Sequence, residues 1–168
     1  MSSPDGVGLS KAIRQKVEEL NRLCDGIDEA TASRAPTDQP DRWSPKQVIS
    51  HLCGPEGAGI TTAIRAFLEQ DTPLLDMTPA DPYFTDKRAR MTFAELMSEF
   101  KAEYGKMADL VAGLSAEQLA RKAQIPMLKE SPLGEYPTLA TFAQGIAEHH
   151  IGFHIDHMRQ ILKALGHA

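Results

Sequence analysis

The chain has 168 residues, of which 24% are charged and 42% hydrophobic, with a formal net charge of −5 and two cysteines. That length can bury a substantial core without staples, so one domain over residues 1–168 is expected. An acidic chain with no basic run and no aromatic–basic interleaving is not expected to bind nucleic acid; no apolar run approaches the ~18 residues of a membrane span; Cys24 and Cys53 are too few for a disulfide framework.

Residues 1–8 read as a polar, glycine-containing tail. The opening MSSPDGVGLS lacks the basic and apolar regions of a signal peptide, which sets a cytoplasmic expectation. A first helix is predicted from Leu9 to Cys24, because Ile13, Val17, Leu20 and Cys24 recur at three- or four-residue spacing. Residues 28–42 are polar, contain Pro36 and Pro40, and read as a loop.

The second helix carries a strong start signal. Ser44 suits the N-cap, Pro45 the first helical position and Gln47 the third, a capping box with proline where its missing N–H is harmless. Trp43 before the cap is placed to staple onto Val48. The pattern predicts a helix from Pro45 to about Glu69, with Ile49, Leu52, Ala63 and Phe67 facing the core and a kink or wide turn at Pro55 among Gly54, Gly57 and Gly59, the tolerated proline kink being expected. Cys53 reads as packing.

Residues 70–90, with Pro73, Pro79 and Pro82, form a long connection in which Tyr83 and Phe84 pack over a site or tether the loop, tethering being the role expected. A third helix starts at Thr92 with Glu95 completing another capping box, and its apolar set runs Phe93, Leu96, Met97, Phe100, Tyr104, Met107, Leu110, Val111. A short turn of helix follows from Ser115 to about Arg121. Residues 122–137 hold three prolines and a glycine and read as an irregular crossing.

The last helix, residues 138–165, carries most of the chemistry. His150, His154 and His157 fall at i, i+4, i+7, which at ~100° per residue is a stripe on one face. Leu139, Ala143, Ile146, Ala147, Ile161 and Leu165 share that face, while Glu148, Gly152, Asp156, Arg159 and Lys163 lie opposite. The stripe therefore runs down the side to be buried. A buried imidazole without a partner costs about 1–3 kcal/mol. One such histidine is readily a hydrogen-bonded core residue; three in a row are harder to satisfy that way, and HxxxH on one face lets two imidazoles reach one metal ion. Periodicity places His51 at the edge of the second helix's apolar arc and leaves it between site and surface. The residues thus predict an all-α bundle of four long helices with two long connections and non-sequential packing of some pair.

Two stretches resemble the DinB/YfiT-like superfamily. Trp43-Ser44-Pro45-Lys46-Gln47-Val48-Ile49-Ser50-His51-Leu52 is similar to its W-S-x-x-x-[IV]-x-x-H-[IL] signature, and His150-Ile151-Gly152-Phe153-His154 to its terminal H-x-x-x-H helix, with Gly166 twelve residues on. The resemblance implies a DinB-like four-helix up-down-down-up bundle with long crossovers. It also implies a divalent metal bound by His51, His150 and His154, with His157, where the family often has glutamine, as the alternative ligand. Imidazoles suit zinc, nickel, iron or manganese. Three neutral imidazoles leave a coordination position open, the form of a catalytic site.

The resemblance further implies a thiol-dependent S-transferase-like activity on a small-molecule electrophile, with a low-molecular-weight thiol as cosubstrate. Such a reaction would gain from a basic or polar rim, for which Lys129, Arg88 and Arg90 in the loops are the candidates. Metal-dependent hydrolysis is the related alternative; it lacks a named general base. A non-catalytic bundle that binds metal or a small molecule is the reading from another class, favoured by the lack of a carboxylate near the histidines. A homodimer is the expected assembly.

Overall fold

The computed structural model describes residues 4–78 and 80–167; residues 1–3 of the expected tail and Pro79 of the long connection lie outside the described residues. Helix α1 (Gly6–Leu23) begins three residues before the expected Leu9. Its cap explains the gain: the Asp5 carboxylate accepts the Gly8 N–H at 2.7 Å. Gly6 is required by contact, because a Cβ there would lie 2.1 Å from the Val111 carbonyl oxygen. The predicted loop 28–42 contains one helical turn, α2 (Glu29–Ala32), capped by Asp28.

The second helix differs most from expectation. α3 (Pro45–Cys53) starts at the predicted capping box: Ser44 Oγ accepts the Gln47 N–H at 3.2 Å and Gln47 Oε1 accepts the Ser44 N–H at 2.8 Å. It then stops. Gly54 adopts φ +75°, its N–H closes a tight turn onto the His51 carbonyl at 3.0 Å, and a new helix, α4 (Ile60–Glu69), begins after Gly59. Pro55 therefore follows a helix end and does not kink a continuous helix. The N-terminus of α4 lacks a cap of its own, and the Glu103 carboxylate supplies one by accepting the Thr61 N–H at 2.9 Å.

The connection after α4 contains a short helix, α5 (Asp86–Arg90), capped by Thr85. α6 (Phe93–Ala112) begins at the predicted Thr92–Glu95 capping box, and α7 (Ala116–Leu119) at a third box, Ser115–Gln118. Residues 122–137 cross the bundle end through a 3₁₀ turn at Pro126–Leu128. Isolated bridges pair Leu74 with Gln124 and Lys122 with Thr138; no strand forms among the described residues.

The last helix is continuous but not uniform. α8 (Leu139–Gly145) passes through a π turn (Ile146–Ile151) into α9 (Gly152–Ala164). The buried pattern accounts for the π turn. Ala143, Ala147, Ile151 and Ile155 are all core residues at four-residue intervals. They span 12 residues, whereas three α-turns take about 10.8. The surplus of about one residue is what a π turn absorbs, keeping all four on the buried side.

Specific pairs fix the directions. Gly6 against Val111 makes α1 antiparallel to α6. Cys53 Sγ lies near the Leu96 carbonyl and, further along both, Thr61 meets Glu103, so α3–α4 runs parallel to α6. Phe67 packs on Phe142 at 5.3 Å and His51 on His154 at 4.7 Å, so the last helix opposes α3–α4. Arg159 pairs with Glu19, which sets the last helix parallel to α1. The result is a four-helix bundle of up-down-down-up order, with the 70–92 crossover joining two parallel helices. One continuous apolar core runs through all four, with Phe67, Phe100 and Tyr104 as its bulkiest fully buried apolar members. Each such side chain contributes about 1.5–3 kcal/mol by leaving water. No helix among the described residues is long and apolar enough to cross a membrane.

Candidate metal centre

Three elements converge on the histidines. α3 carries His51 on its last turn, the π turn ends beside His150, and α9 carries His154 on its first turn. His51, His150 and His154 each offer a ring nitrogen, and these atoms lie within 4.8 Å of one another. His51 is 6% exposed and His154 4%, with His150 half-buried. His157 stands beside this trio, half-buried, its Nδ1 3.5 Å from Nδ1 of His154.

One ring has its proton assigned by its surroundings. His51 Nδ1 lies 2.7 Å from the Asp81 backbone carbonyl. A carbonyl only accepts, so Nδ1 carries the hydrogen and the neutral ring leaves its lone pair on Nε2. That Nε2 is buried and has no partner. An orphaned acceptor of this kind costs about 1–3 kcal/mol, and here it sits beside two more imidazoles, with ring centroids 5.2 Å (His150) and 4.7 Å (His154) away. A divalent cation held by Nε2 with the His150 and His154 nitrogens fits the donor chemistry.

Burial also keeps the rings neutral, the state a ligand needs. Loss of hydration pushes His154 down to about 2 and His150 down to about 4, each reinforced by the neighbouring rings. His51 is also lowered by burial, against the opposing pull of the Asp81 carbonyl and carboxylate. His157 is lowered by burial, then by the Arg42 guanidinium and His51.

An aromatic wall surrounds the rings. Trp43 stacks on His154 at 6.3 Å and 7° and also packs on His51 and His157. Tyr83 lies parallel to His51 at 6.1 Å and 5°. Phe153 meets His154 edge-on at 5.0 Å and is 64% exposed, at the mouth of the cluster. A groove of about 840 Å³ lies elsewhere, along the outer side of α1 between Val7, Arg14, Arg22 and Arg159, and none of these histidines lines it.

The structure revises three of the sequence readings. Tyr83 does tether its loop, its hydroxyl donating to the Thr78 carbonyl, but it also covers His51. A carboxylate does stand near the cluster: Asp81, on the crossover strap, accepts the Tyr83 N–H at 2.7 Å and acts on His51. Arg88 is not on a rim; it is 1% exposed inside the fold, whereas Arg90 and Lys129 are exposed. The strap was out of reach of sequence periodicity because its key contact, the acceptor for His51 Nδ1–H, is a backbone carbonyl. Glu148 and Asp156 are exposed, as predicted.

Residues 12–161 match the DinB superfamily. The chain belongs to that superfamily. No curated protein sequence matches it. Among solved structures, the chain over its full length is similar to 91% of YfiT from Bacillus subtilis, described as a probable metal-dependent hydrolase with an unusual four-helix bundle topology, at 16% identity and a TM-score of 0.76. An uncharacterised Clostridium difficile 630 protein matches at 19% identity and a TM-score of 0.67, covering 97% of this chain and 98% of its own. A Streptococcus pneumoniae protein matches at 19% and 0.66, covering 98% and 94%. At these identities the likeness establishes the DinB fold alone.

Proposed function

We propose that this DinB-superfamily chain is a metal-dependent hydrolase whose divalent ion is held by His51, His150 and His154. The observation that carries the reading is the buried, unpartnered His51 Nε2 beside two further neutral imidazoles. A divalent ion held by three imidazoles supplies Lewis acidity and lowers the pKa of a water or thiol that it takes up. The chain's own residues do the remainder. The Asp81 carbonyl holds the His51 ring in the tautomer that frees Nε2. Trp43 and Tyr83 cover the rings and exclude water from their flanks. His157, half-buried beside His154, would accept at a ring nitrogen the proton released by the attacking water, as the general base that the sequence left unnamed. The description of YfiT supports the same reaction class.

Thiol S-transfer is the second reading and uses the same ion. It ranks lower because Arg88, offered for a thiol-binding rim, is internal. A small molecule is the expected substrate in both. The test is turnover of activated small esters and amides by zinc-, nickel- or manganese-loaded protein, with and without added thiols. Metal-dependent turnover in water alone supports hydrolysis; turnover that requires thiol replaces it with transfer. Stoichiometric metal with neither activity favours a non-catalytic binding bundle.

A further inference from the structure

The most heavily bonded side chain outside the histidine cluster is Arg88. It sits on α5 at 1% exposure. Its Nη1 donates toward four acceptors: Gly54 O at 2.6 Å, Ser50 O at 3.1 Å, Tyr83 O at 3.2 Å and Ser50 Oγ at 3.3 Å. Its Nη2 meets Glu99 Oε1 on α6 at 3.1 Å, which balances the charge. Two of these acceptors, Ser50 O and Gly54 O, are carbonyls at the C-terminal end of α3, on either side of His51. Tyr83 O belongs to the strap.

The strap holds His51 in two ways, through the Asp81 carbonyl on Nδ1 and the Tyr83 ring on its face. It is also conformationally costly. Tyr83 adopts φ +50°, and a bulky residue in that region costs on the order of 1–3 kcal/mol unless its surroundings impose it. Those surroundings are visible. The Asp81 carboxylate takes the Tyr83 N–H, and the Tyr83 carbonyl receives Ser50 Oγ–H at 3.0 Å as well as Arg88. Arg88 and Ser50 therefore clasp the strap onto the helix end that carries His51.

We propose that Arg88, assisted by Ser50, is a positioning residue for the metal ligand His51, acting by locking the Asp81–Tyr83 strap that fixes the His51 tautomer. Arg88 touches neither the other two histidines nor any reacting atom. Its effect passes through Tyr83 and Asp81 to Nδ1, and so to the lone pair on Nε2. The inference rests on the metal-site reading above and adds to it the device that sets its most constrained ligand.

The test compares wild type, Ser50→Ala, Arg88→Met and Glu99→Gln. In metal-free protein, ¹⁵N NMR of the His51 ring reports the tautomer. In a separate titration, competition with a chelator reports zinc affinity. Wild type shows the Nδ1–H form. Arg88→Met and Ser50→Ala show a mixture, and the Arg88 variant binds zinc about ten-fold or more weakly, the scale of losing an outer partner of a ligand. Glu99→Gln, which removes only the counter-charge at Nη2 and keeps the Nη1 contacts to Ser50, Gly54 and Tyr83, lowers the unfolding midpoint but leaves the tautomer and zinc affinity unchanged. If Arg88→Met does not fold, Ser50→Ala decides alone. A wild-type tautomer and affinity in the clasp variants overturn the proposal. Failure of wild type itself to bind zinc overturns the metal reading instead, while the metal-free tautomer measurement still decides whether the clasp sets the ring.

Discussion

Metal-free protein loses stability as the pH falls from 6.5 to 5, and the histidine cluster is the cause. The perturbation is acid alone, after stripping divalent ions with a chelator. His150 is held down to about 4 from an ordinary 6.5, chiefly by burial. A lowered folded-state value means the unfolded chain binds the proton more readily. The stability is therefore fully present above 6.5 and drains away as the pH falls toward the folded-state value. The slope is about 1.4 kcal/mol per pH unit for each such proton. Across the 1.5 units from 6.5 to 5, where the slope starts at about half its full value, His150 alone accounts for about 1.5 kcal/mol. His154, pushed lower still, adds to the same slope.

The carboxylates do not confuse this window. Glu19, Asp28 and Glu29 are all held below their ordinary values of 4.5, 3.8 and 4.5, so their contribution is lost only at lower pH. Urea unfolding at half-unit pH steps measures the slope, and His150→Phe should remove one proton's share. An equal slope in that variant, or a flat profile in wild type, refutes the buried neutral cluster.

Three further outcomes follow from named contacts. Ser44→Ala removes the side-chain acceptor of the Gln47 N–H and should cost about 0.5–2 kcal/mol in urea unfolding, with activity retained by the folded fraction. Phe67 is fully buried against Phe142, so Phe67→Ala should cost about 3–5 kcal/mol in the same assay. By chelator competition, alanine at His51, His150 or His154 should weaken metal binding by orders of magnitude, whereas alanine at His157 should change it modestly; the reverse ranking of His154 and His157 would exchange the ligand.

Much of this architecture is legible in the chain because its signals are local. Ser44–Gln47 and Thr92–Glu95 declare helix starts by side chains that reach backbone N–H groups three residues away. The stripe His150–His154–His157 is equally local, since it needs only helical periodicity. The break after Cys53 is not legible in the chain, because Gly54, Pro55 and Gly57 disfavour a helix without saying whether it bends or ends. The answer lies in distant groups: Arg88 on the Gly54 carbonyl and Glu103 on the Thr61 N–H. The π turn left a trace in the four-residue spacing of Ala143, Ala147, Ile151 and Ile155, which a fixed 100° wheel hides. Asp81 and Arg88 were beyond reach. One acts on His51 through its backbone and the other through tertiary contacts, and neither mode has a sequence period.

The most direct test of the central claim is the metal content of untagged protein. Elemental analysis after purification without chelator, followed by titration of stripped protein with zinc, should give one divalent ion per chain. Binding should be lost in His51→Ala, His150→Ala and His154→Ala. A wild-type protein that neither contains nor takes up a divalent ion would contradict the account, and the three histidines would then be a polar layer in the bundle core.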